Sequence, residues 1–450
     1  MKIVQSLWSY PVEQAGDCPG NRFKGGWPHE RDHWMSWALS CLTLKQFYPK
    51  VELITDHIGK KMLIDQLQLP YTKVSTDLNE LNGYPSKAWA LGKLKAYGLQ
   101  NEPFLHVDGD VYLWQKLENA IENQNLVVQS RTDFTQHLQV EELALAIQNE
   151  LTEVPTAIKN HWKHQSPLFA INAGIIGGND LAFFKEYSKQ AFAFIDANVD
   201  RFDVLNGHLL NMIFEEHLFF CLAAYQQKDI AFYFGAINQP FKEVSRFHLL
   251  PFYANYIHVI GEAKQNAYTS EQVALHLREK FPEYYQRILE LFPEPENNQD
   301  IKVFSVWPWT NTNEKSPYRK VRLHHAYQWM QNKEPKQLWE ASMILSSTAM
   351  IQETKNDSVD TEFLLNFTCP LEGYTKNLKL EGWDLLLTYF CDSTSCVELF
   401  NKMMEDEQIR ISYLEQEHIL KDTIMDVVFS FFYYYEALAI VSDVPKGNEK

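Results

Sequence analysis

The chain has no Walker loop and no G-x-G-x-x-G run, which tells against ATPases and dinucleotide oxidoreductases. Its six cysteines (Cys18, Cys41, Cys221, Cys369, Cys391, Cys396) are scattered, and only Cys391 and Cys396 lie close together. With no CxxC pair they read as reduced thiols of a cytoplasmic protein. Basic residues are outnumbered, 41 Lys and Arg against 58 Asp and Glu, for a net charge of -17. That balance argues against a nucleic-acid surface or an anionic membrane as partner, but leaves room for a small basic pocket for phosphates. The opening residues "MKIVQSLWSYP" lack the apolar core of a signal peptide. The most apolar late stretch, Ile424 to Val441, is interrupted by Asp426 and Glu436, so it reads as a buried helix and not as a transmembrane span. No low-complexity tract occurs, and "SLWSYP" and "SVWPWT" are too short to make a repeat.

What the chain does have is core material: 45% of its 450 residues are apolar and 14% aromatic, enough for two or three globular domains. Residues 1–290 alternate β-like runs with helix-like stretches. "MKIVQSLW", "KVELITD", "FLHVDGDVYLW", "NLVVQSRTD", "FAINAGIIGGN", "IAFYF" and "YANYIHVIG" are β-like; "ERDHWMSWALSCLTLKQF" and "KAWALGKLKAYGL" are helical. The alternation predicts an α/β fold with a mainly parallel sheet flanked by helices, whose ligands bind beyond the carboxyl ends of the strands. "FPEPENNQD", Phe292 to Asp300, marks a boundary between a domain at 1–295 and a mostly helical, aromatic region at 301–450.

Within "FLHVDGDVYLW", Asp108 and Asp110 end an apolar run. Residues two apart on an extended strand point the same way, so both carboxylates are expected to face one point, with Gly109 permitting a turn or a ligand's approach. Two hard oxygens there suit Mn²⁺ or Mg²⁺, which leave positions open for phosphate oxygens. A surface turn with solvated aspartates is the competing reading, and the flanking apolar runs weigh against it. "YIHVIGEAK" supplies an imidazole at His258, a turn at Gly261 and an ammonium at Lys264. An imidazole with two carboxylates makes a reasonable Mn²⁺ set, and the lysine suits a diphosphate. "FEEHLF" places Glu215 and Glu216 between apolar neighbours.

The order of these pieces (a first strand, "LITD", "LGKLKAY", "DGD", "INAGIIGGN", then His-x-x-Gly-x-x-Lys) resembles the GT-A nucleotide-sugar glycosyltransferases, especially the retaining, glycogenin- and galactosyltransferase-like group. Bacterial GT-A-like families of unknown role fit as well. The resemblance spans about residues 1–265 and implies a GT-A fold. It also implies that Asp108, Asp110 and His258 hold the metal, that Gly261 and Lys264 meet the diphosphate, and that Lys93 meets the diphosphate or donor sugar. Leu7, Trp8 and Ser9 with Thr55 and Asp56 would face the nucleotide. Asn172, Ala173 and Gly174 would line the sugar pocket, and Glu216 stands where the group often has an acidic residue near the donor sugar. The catalytic set so implied is Glu216, Asn172 and Lys93. The chain departs from the group in continuing after Lys264 with Gln265-Asn266 where Pro-Trp is usual, and in having Glu215-Glu216 where Asp-Gln is frequent.

The implied activity is metal-dependent transfer of a sugar from a nucleoside diphosphate sugar to an acceptor (glycan, peptide or protein), with retention. A non-catalytic nucleotide-binding protein and a metal-dependent nucleotidyltransferase are the alternatives. The long segment after strand one, with Lys24, Gly25, Gly26 and Arg31, reads as a mobile lid or an ordinary loop. Trp307, Trp309, His324 and His325 are acceptor-side candidates, with core packing and solvated histidines as the plainer readings. The region 301–450 would bind the acceptor or form a homodimer.

Overall fold

The computed structural model describes residues 1–11, 25–133, 151–163, 169–203, 207–235, 245–252, 254–293, 317–355, 361–368 and 375–441. The chain forms two compact units, one built on Met1–Ser245 and Tyr256–Glu296, the other on Arg246–Asn255 and Trp307–Lys450. Most of the expected boundary segment, all of the proposed lid up to Lys24, and both Trp307 and Trp309 lie outside the described residues.

The first unit is organised by a seven-stranded sheet in the order β3-β2-β1-β4-β7-β6-β8. Its strands are β1 (Lys2–Leu7), β2 (Val51–Thr55), β3 (Lys73–Ser75), β4 (Phe104–Val107), β6 (Val127–Asp133), β7 (Phe169–Gly178) and β8 (Ala231–Phe232). All run in one direction except β7, which is antiparallel to both its neighbours. This is the mixed, mainly parallel, helix-flanked α/β sheet that the alternation predicts. Its strands are apolar on both faces, as a covered sheet requires. Val4, Phe104 and Ile176 pack on one side with Tyr97, Phe184 and Phe219. Ile3, Leu105, Val107 and Ile175 pack on the other with Leu44 and Tyr48.

Helix α1 (Glu30–Phe47) covers the second face. It buries thirteen consecutive residues, Asp32 to Leu44, so it is enclosed nearly all round and does not show a single apolar stripe. Helix α2 (Leu91–Gly98) and helix α3 (Leu181–Asp196) lie together on the first face, where Ser188 donates to the Leu94 carbonyl at 2.8 Å.

The structure corrects one detail of the sequence reading. "FLHVDGDVYLW" is not one strand. β4 stops at Val107, the chain turns through Asp108-Gly109-Asp110, and β5 (Val111–Leu113) pairs with β9 (Tyr256–His258) in a separate antiparallel ribbon. The turn closes by Val111 N–H donating to the Asp108 carbonyl at 3.1 Å. The two aspartates therefore converge through a turn and not through strand alternation.

The second unit contains the helices Pro317–Gln331, Cys396–Glu405 and Glu417–Tyr433. To these it adds an antiparallel meander of β11 (Ala349–Lys355), β12 (Thr361–Thr368) and β13 (Thr375–Lys379), and a pair of β10 (Met343–Leu345) with β14 (Leu438–Ile440). The stretch 424–441 is shared between the last helix, where Ile424, Val428 and Phe429 are buried, and β14. No helix of the described residues is long and apolar enough to cross a membrane.

At the carboxyl ends of β1 and β2, Asp56 binds the chain to itself. Its carboxylate accepts from Ser9 N–H at 2.7 Å, from the Ser9 hydroxyl at 2.8 Å, from Tyr10 N–H at 3.3 Å and, as an N-cap, from Gly59 N–H at 2.8 Å. Thr55 donates its hydroxyl to the Leu7 carbonyl at 2.6 Å. The expected nucleotide-facing residues are thus together, but Asp56 and Thr55 are engaged in holding two strand ends. Removing a carboxylate that satisfies several buried donors leaves them unpaired. We expect Asp56→Ala to lower the unfolding free energy by about 3 kcal/mol in chemical denaturation. An unchanged midpoint would deny the residue this architectural task.

Candidate metal centre

The Asp108–Asp110 turn is clamped from behind by helix α1. Ser40 donates to the Val111 carbonyl at 2.7 Å, and Ser36 donates to the Gly109 carbonyl at 2.9 Å. Four residues apart on a helix, the two serines share a face. Gln5 on β1 donates to the Ser40 hydroxyl at 2.9 Å and accepts from Tyr71 at 2.8 Å. Gly109 is needed because the indole of Trp37 lies where its Cβ would be. What approaches Gly109 is this core ring. On the sheet side, Asp108 N–H donates to the Gly174 carbonyl of β7 at 3.0 Å.

Each carboxylate then meets its own lysine. Lys93 of α2 lies 2.7 Å from Asp108 Oδ2, and Lys264 lies 2.6 Å from Asp110 Oδ2. Lys264 is delivered by the tight turn Gly261–Gln265, which Gly261 opens with φ +51°. Its Nζ also donates to the Gly25 carbonyl at 2.9 Å, and Gln265 bonds the Gly26 carbonyl. Asn266 caps the next helix, α4 (Ala267–Lys280), by accepting from Tyr268 N–H at 2.9 Å. The two residues that replace the Pro-Trp pair of the resembling group thus anchor this turn.

Lys93 serves a second carboxylate as well, Glu215 Oε1 at 3.1 Å. Glu215 is buried within a π-helical turn, Ile213–His217, whose carbonyl at Glu215 also accepts from the Tyr187 hydroxyl at 2.5 Å. The structure so ties Glu215, the neighbour of the expected Glu216, to the lysine of the site. Glu216 is half-buried one residue on. Asn172 accepts from Gly174 N–H at 3.0 Å. Trp8 is buried and stacks with Tyr10 at 5.9 Å between ring centroids.

His258 arrives from β9. The ribbon sets it opposite Val111, and Val259 N–H donates to the Asp110 carbonyl at 3.0 Å. Its Nε2 lies 3.4 Å from Asp110 Oδ1, while Nδ1 lies 2.7 Å from Gln129 Oε1. Ligand atoms of Asp108, Asp110 and His258 fall within 4.8 Å of one another.

Burial works against both carboxylate charges. At Asp110 that effect is outweighed by Lys264 and His258, and its carboxyl is held well below the usual range. At Asp108 burial prevails over Lys93, the adjacent Asp110 charge adds to it, and its carboxyl is raised. Burial would lower Lys93, but Asp108 and Glu215 outweigh it and raise its ammonium above the usual lysine range. His33, buried beside this group, is pushed down to about 3 by burial and by the charge of Lys264, and stays neutral.

The donor set fits a divalent cation. Asp108 Oδ1 and Asp110 Oδ1 are buried and accept no hydrogen bond, a costly state for anionic oxygens that a cation would relieve. Two hard oxygens and one imidazole suit Mn²⁺ or Mg²⁺. The sequence reading named the three candidate ligands and both lysines, and the structure brings them together. The sequence reading missed Ser36, Ser40 and Gln129, whose signal was there as isolated polar residues in apolar surroundings, "WMSWALSCL" and "LVVQS".

The chain belongs to a family of unknown function, DUF6734, whose model matches residues 1–291. No curated protein matches it. Among solved structures, an active-site mutant of LgtC is 12% identical with a TM-score of 0.27, over 48% of this chain and 70% of its own. Apo mouse xyloside xylosyltransferase 1 is 11% identical with a TM-score of 0.29, over 51% of this chain and 84% of its own.

The opposite shifts of the two aspartates have opposite signs in stability. A carboxyl held low contributes stability above its unfolded pKa of about 4 and loses it as pH falls below. A raised one destabilises when ionised, and is relieved as pH falls through its raised value. In metal-free protein at pH 7, Asp110→Asn should therefore lower the melting temperature, the difference shrinking on acidification. An unchanged or higher melting temperature would contradict this charge arrangement.

Proposed function

We propose that this protein is a metal-dependent glycosyltransferase of the GT-A type, moving a sugar from a nucleoside diphosphate sugar to an acceptor, with Met1–Ser245 and Tyr256–Glu296 as its catalytic part. The observation that carries the reading is the convergence of Asp108, Asp110 and His258 beside Lys93 and Lys264, at the carboxyl end of a parallel strand. That is where open α/β sheets bind ligands.

The charges suit a diphosphate. Three carboxylates, Asp108, Asp110 and Glu215, meet two ammonium groups, and a dication alone competes with the lysines for oxygens they already hold. A diphosphate arriving with the metal removes that conflict, because it gives both lysines new anionic partners. Mn²⁺ or Mg²⁺, when bound, supplies Lewis-acid stabilisation of the departing diphosphate. Lys264 turns from Asp110 to a phosphate oxygen, and its attraction grows as charge develops on the leaving group. Lys93, held by Glu215 as well as Asp108, keeps one carboxylate partner when it meets the diphosphate or the sugar. Asn172, through Gly174, holds the wall of β7 against the turn. Glu215 reaches the site through Lys93 and Glu216 follows it in the chain, which supports a role for the pair toward the donor sugar. With retention, neither needs to act as general base. The second unit, chiefly Trp307–Lys450, would hold the acceptor, a glycan, peptide or protein, or pair two copies.

Thermal shift with Mn²⁺, UDP or GDP, and both together tests this reading. We expect the metal and one nucleoside diphosphate to raise the melting temperature together by more than the sum of their separate effects. Asp110→Ala should abolish the joint shift and sugar-nucleotide turnover. Lys264→Met should lose nucleotide binding while keeping or tightening Mn²⁺ binding. Release of pyrophosphate instead of UDP or GDP would make the enzyme a nucleotidyltransferase, and no binding at all would remove the reading.

A further inference from the structure

An imidazole can offer a metal only the nitrogen that carries no proton, so something must decide which of the two nitrogens of His258 is bare. We infer that Gln129 is the positioning residue that makes this choice, fixing the proton on Nδ1 and leaving the Nε2 lone pair for the cation. The inference rests on the metal reading of Asp108, Asp110 and His258, and adds to it a residue that neither strand spacing nor motif marks.

Gln129 is 1% exposed in the middle of β6. Its Oε1 has two neighbours, the Tyr256 hydroxyl at 2.6 Å and His258 Nδ1 at 2.7 Å. Both neighbours belong to β9 and lie two residues apart, so they share one face of the ribbon. A carbonyl oxygen has two lone pairs and no proton. Both partners must therefore donate: Tyr256 its hydroxyl, His258 its Nδ1–H. In the neutral ring, the form that binds a metal, that leaves Nε2, 3.4 Å from Asp110 Oδ1, without a proton. It also explains why Asp110 Oδ1 is buried without a hydrogen bond although an imidazole stands beside it. Two lone pairs face each other there, an arrangement that a cation between them stabilises.

The backbone is shaped to allow this. The β6–β7 register shifts at Gln129: Val128 pairs with Ile176, yet Ser130 pairs with Asn172. Three residues of β7, Ala173 to Ile175, therefore span the length of one residue of β6. This bulge lies directly opposite Gln129, and bulges re-aim side chains next to sites. Its polar groups are satisfied in both directions. Gly174 N–H donates to Asn172 Oδ1 at 3.0 Å, and the Gly174 carbonyl accepts from Asp108 N–H at 3.0 Å. Gly174 itself leaves the necessary gap, since a Cβ there would collide with both Gln129 Oε1 and His258 Nδ1. One bulge thus places a metal-binding aspartate on one side and clears the path of the tautomer-setting bond on the other.

Outer partners of metal-bound histidines typically change metal affinity by 10–100-fold when removed. The test is made on the full chain with ¹⁵N-labelled histidine, reading the tautomer of His258 from its ring nitrogen shifts without metal, and Mn²⁺ affinity by electron paramagnetic resonance. In the parent protein we expect the Nδ1–H form. Gln129→Leu, of similar size but with no acceptor, should shift His258 toward the Nε2–H form and weaken Mn²⁺ binding about 10–100-fold. Gln129→Glu, which keeps the acceptor, should retain the parent tautomer and bind Mn²⁺ at least as well. A loss of affinity in both variants with the tautomer unchanged would mean a merely structural residue and overturn the inference. So would a parent protein found in the Nε2–H form. If Gln129→Leu does not fold, the tautomer in the parent and in Gln129→Glu still decides. A parent protein in the Nδ1–H form that binds no Mn²⁺ would defeat the metal reading instead, and leave the role of Gln129 in the tautomer standing.

Discussion

Two carboxylates held on one tight turn repel each other, and much of the first unit can be understood as the means of keeping them there. Asp108 and Asp110 are separated by a single glycine at the end of a buried strand, where little water is present to screen them. Every layer around the turn contributes either a hydrogen bond to its backbone or a positive charge to its oxygens. Helix α1 supplies Ser36 and Ser40, β7 supplies the Gly174 carbonyl, α2 supplies Lys93 and the turn after β9 supplies Lys264. The oxygens that remain without a donor are one from each carboxylate, and ligand atoms of both residues lie within 4.8 Å of a ring nitrogen of His258.

This arrangement separates two tasks that are often confused. Backbone contacts to the turn fix where the carboxylates sit, and neutral hydroxyl and amide groups do this without altering their charge. The lysines set how strongly each carboxylate holds its charge. Because Lys264 serves Asp110 while Lys93 is shared between Asp108 and Glu215, the pair is electrically unequal before any ligand arrives. Neighbouring acids pushed in opposite directions are a frequent mark of a working site.

The fold was legible in the sequence where hydrophobic pattern and turn residues agree. β1, α1, β2, β6 and β7 appear as continuous runs, and α1 coincides with its predicted stretch from Glu30 to Phe47. The ligands were legible because charged residues at strand ends stand out against apolar flanks. Three things were not. The division of "FLHVDGDVYLW" between two sheets depends on β9, a partner too distant to see. The strands β11 to β13 form a half-exposed meander that buries little, and β13, Thr375–Lys379, has Leu378 as its one apolar residue. The roles of Asp56, Gln129 and the two serines are decided by what packs beside them, and no spacing along the chain encodes that.

The candidate metal trio is drawn from positions about 150 residues apart, 108 and 110 against 258. A ribosome must therefore have released nearly the whole first unit before the last ligand exists, and the intervening loop has to close before any coordination begins. An N-terminal piece ending before β9 would keep most of the main sheet, yet its aspartates would have no imidazole and no Lys264. On the metal reading, the ion site therefore comes into being only once the chain has been made past β9, while the residues of the second unit that follow are still to come.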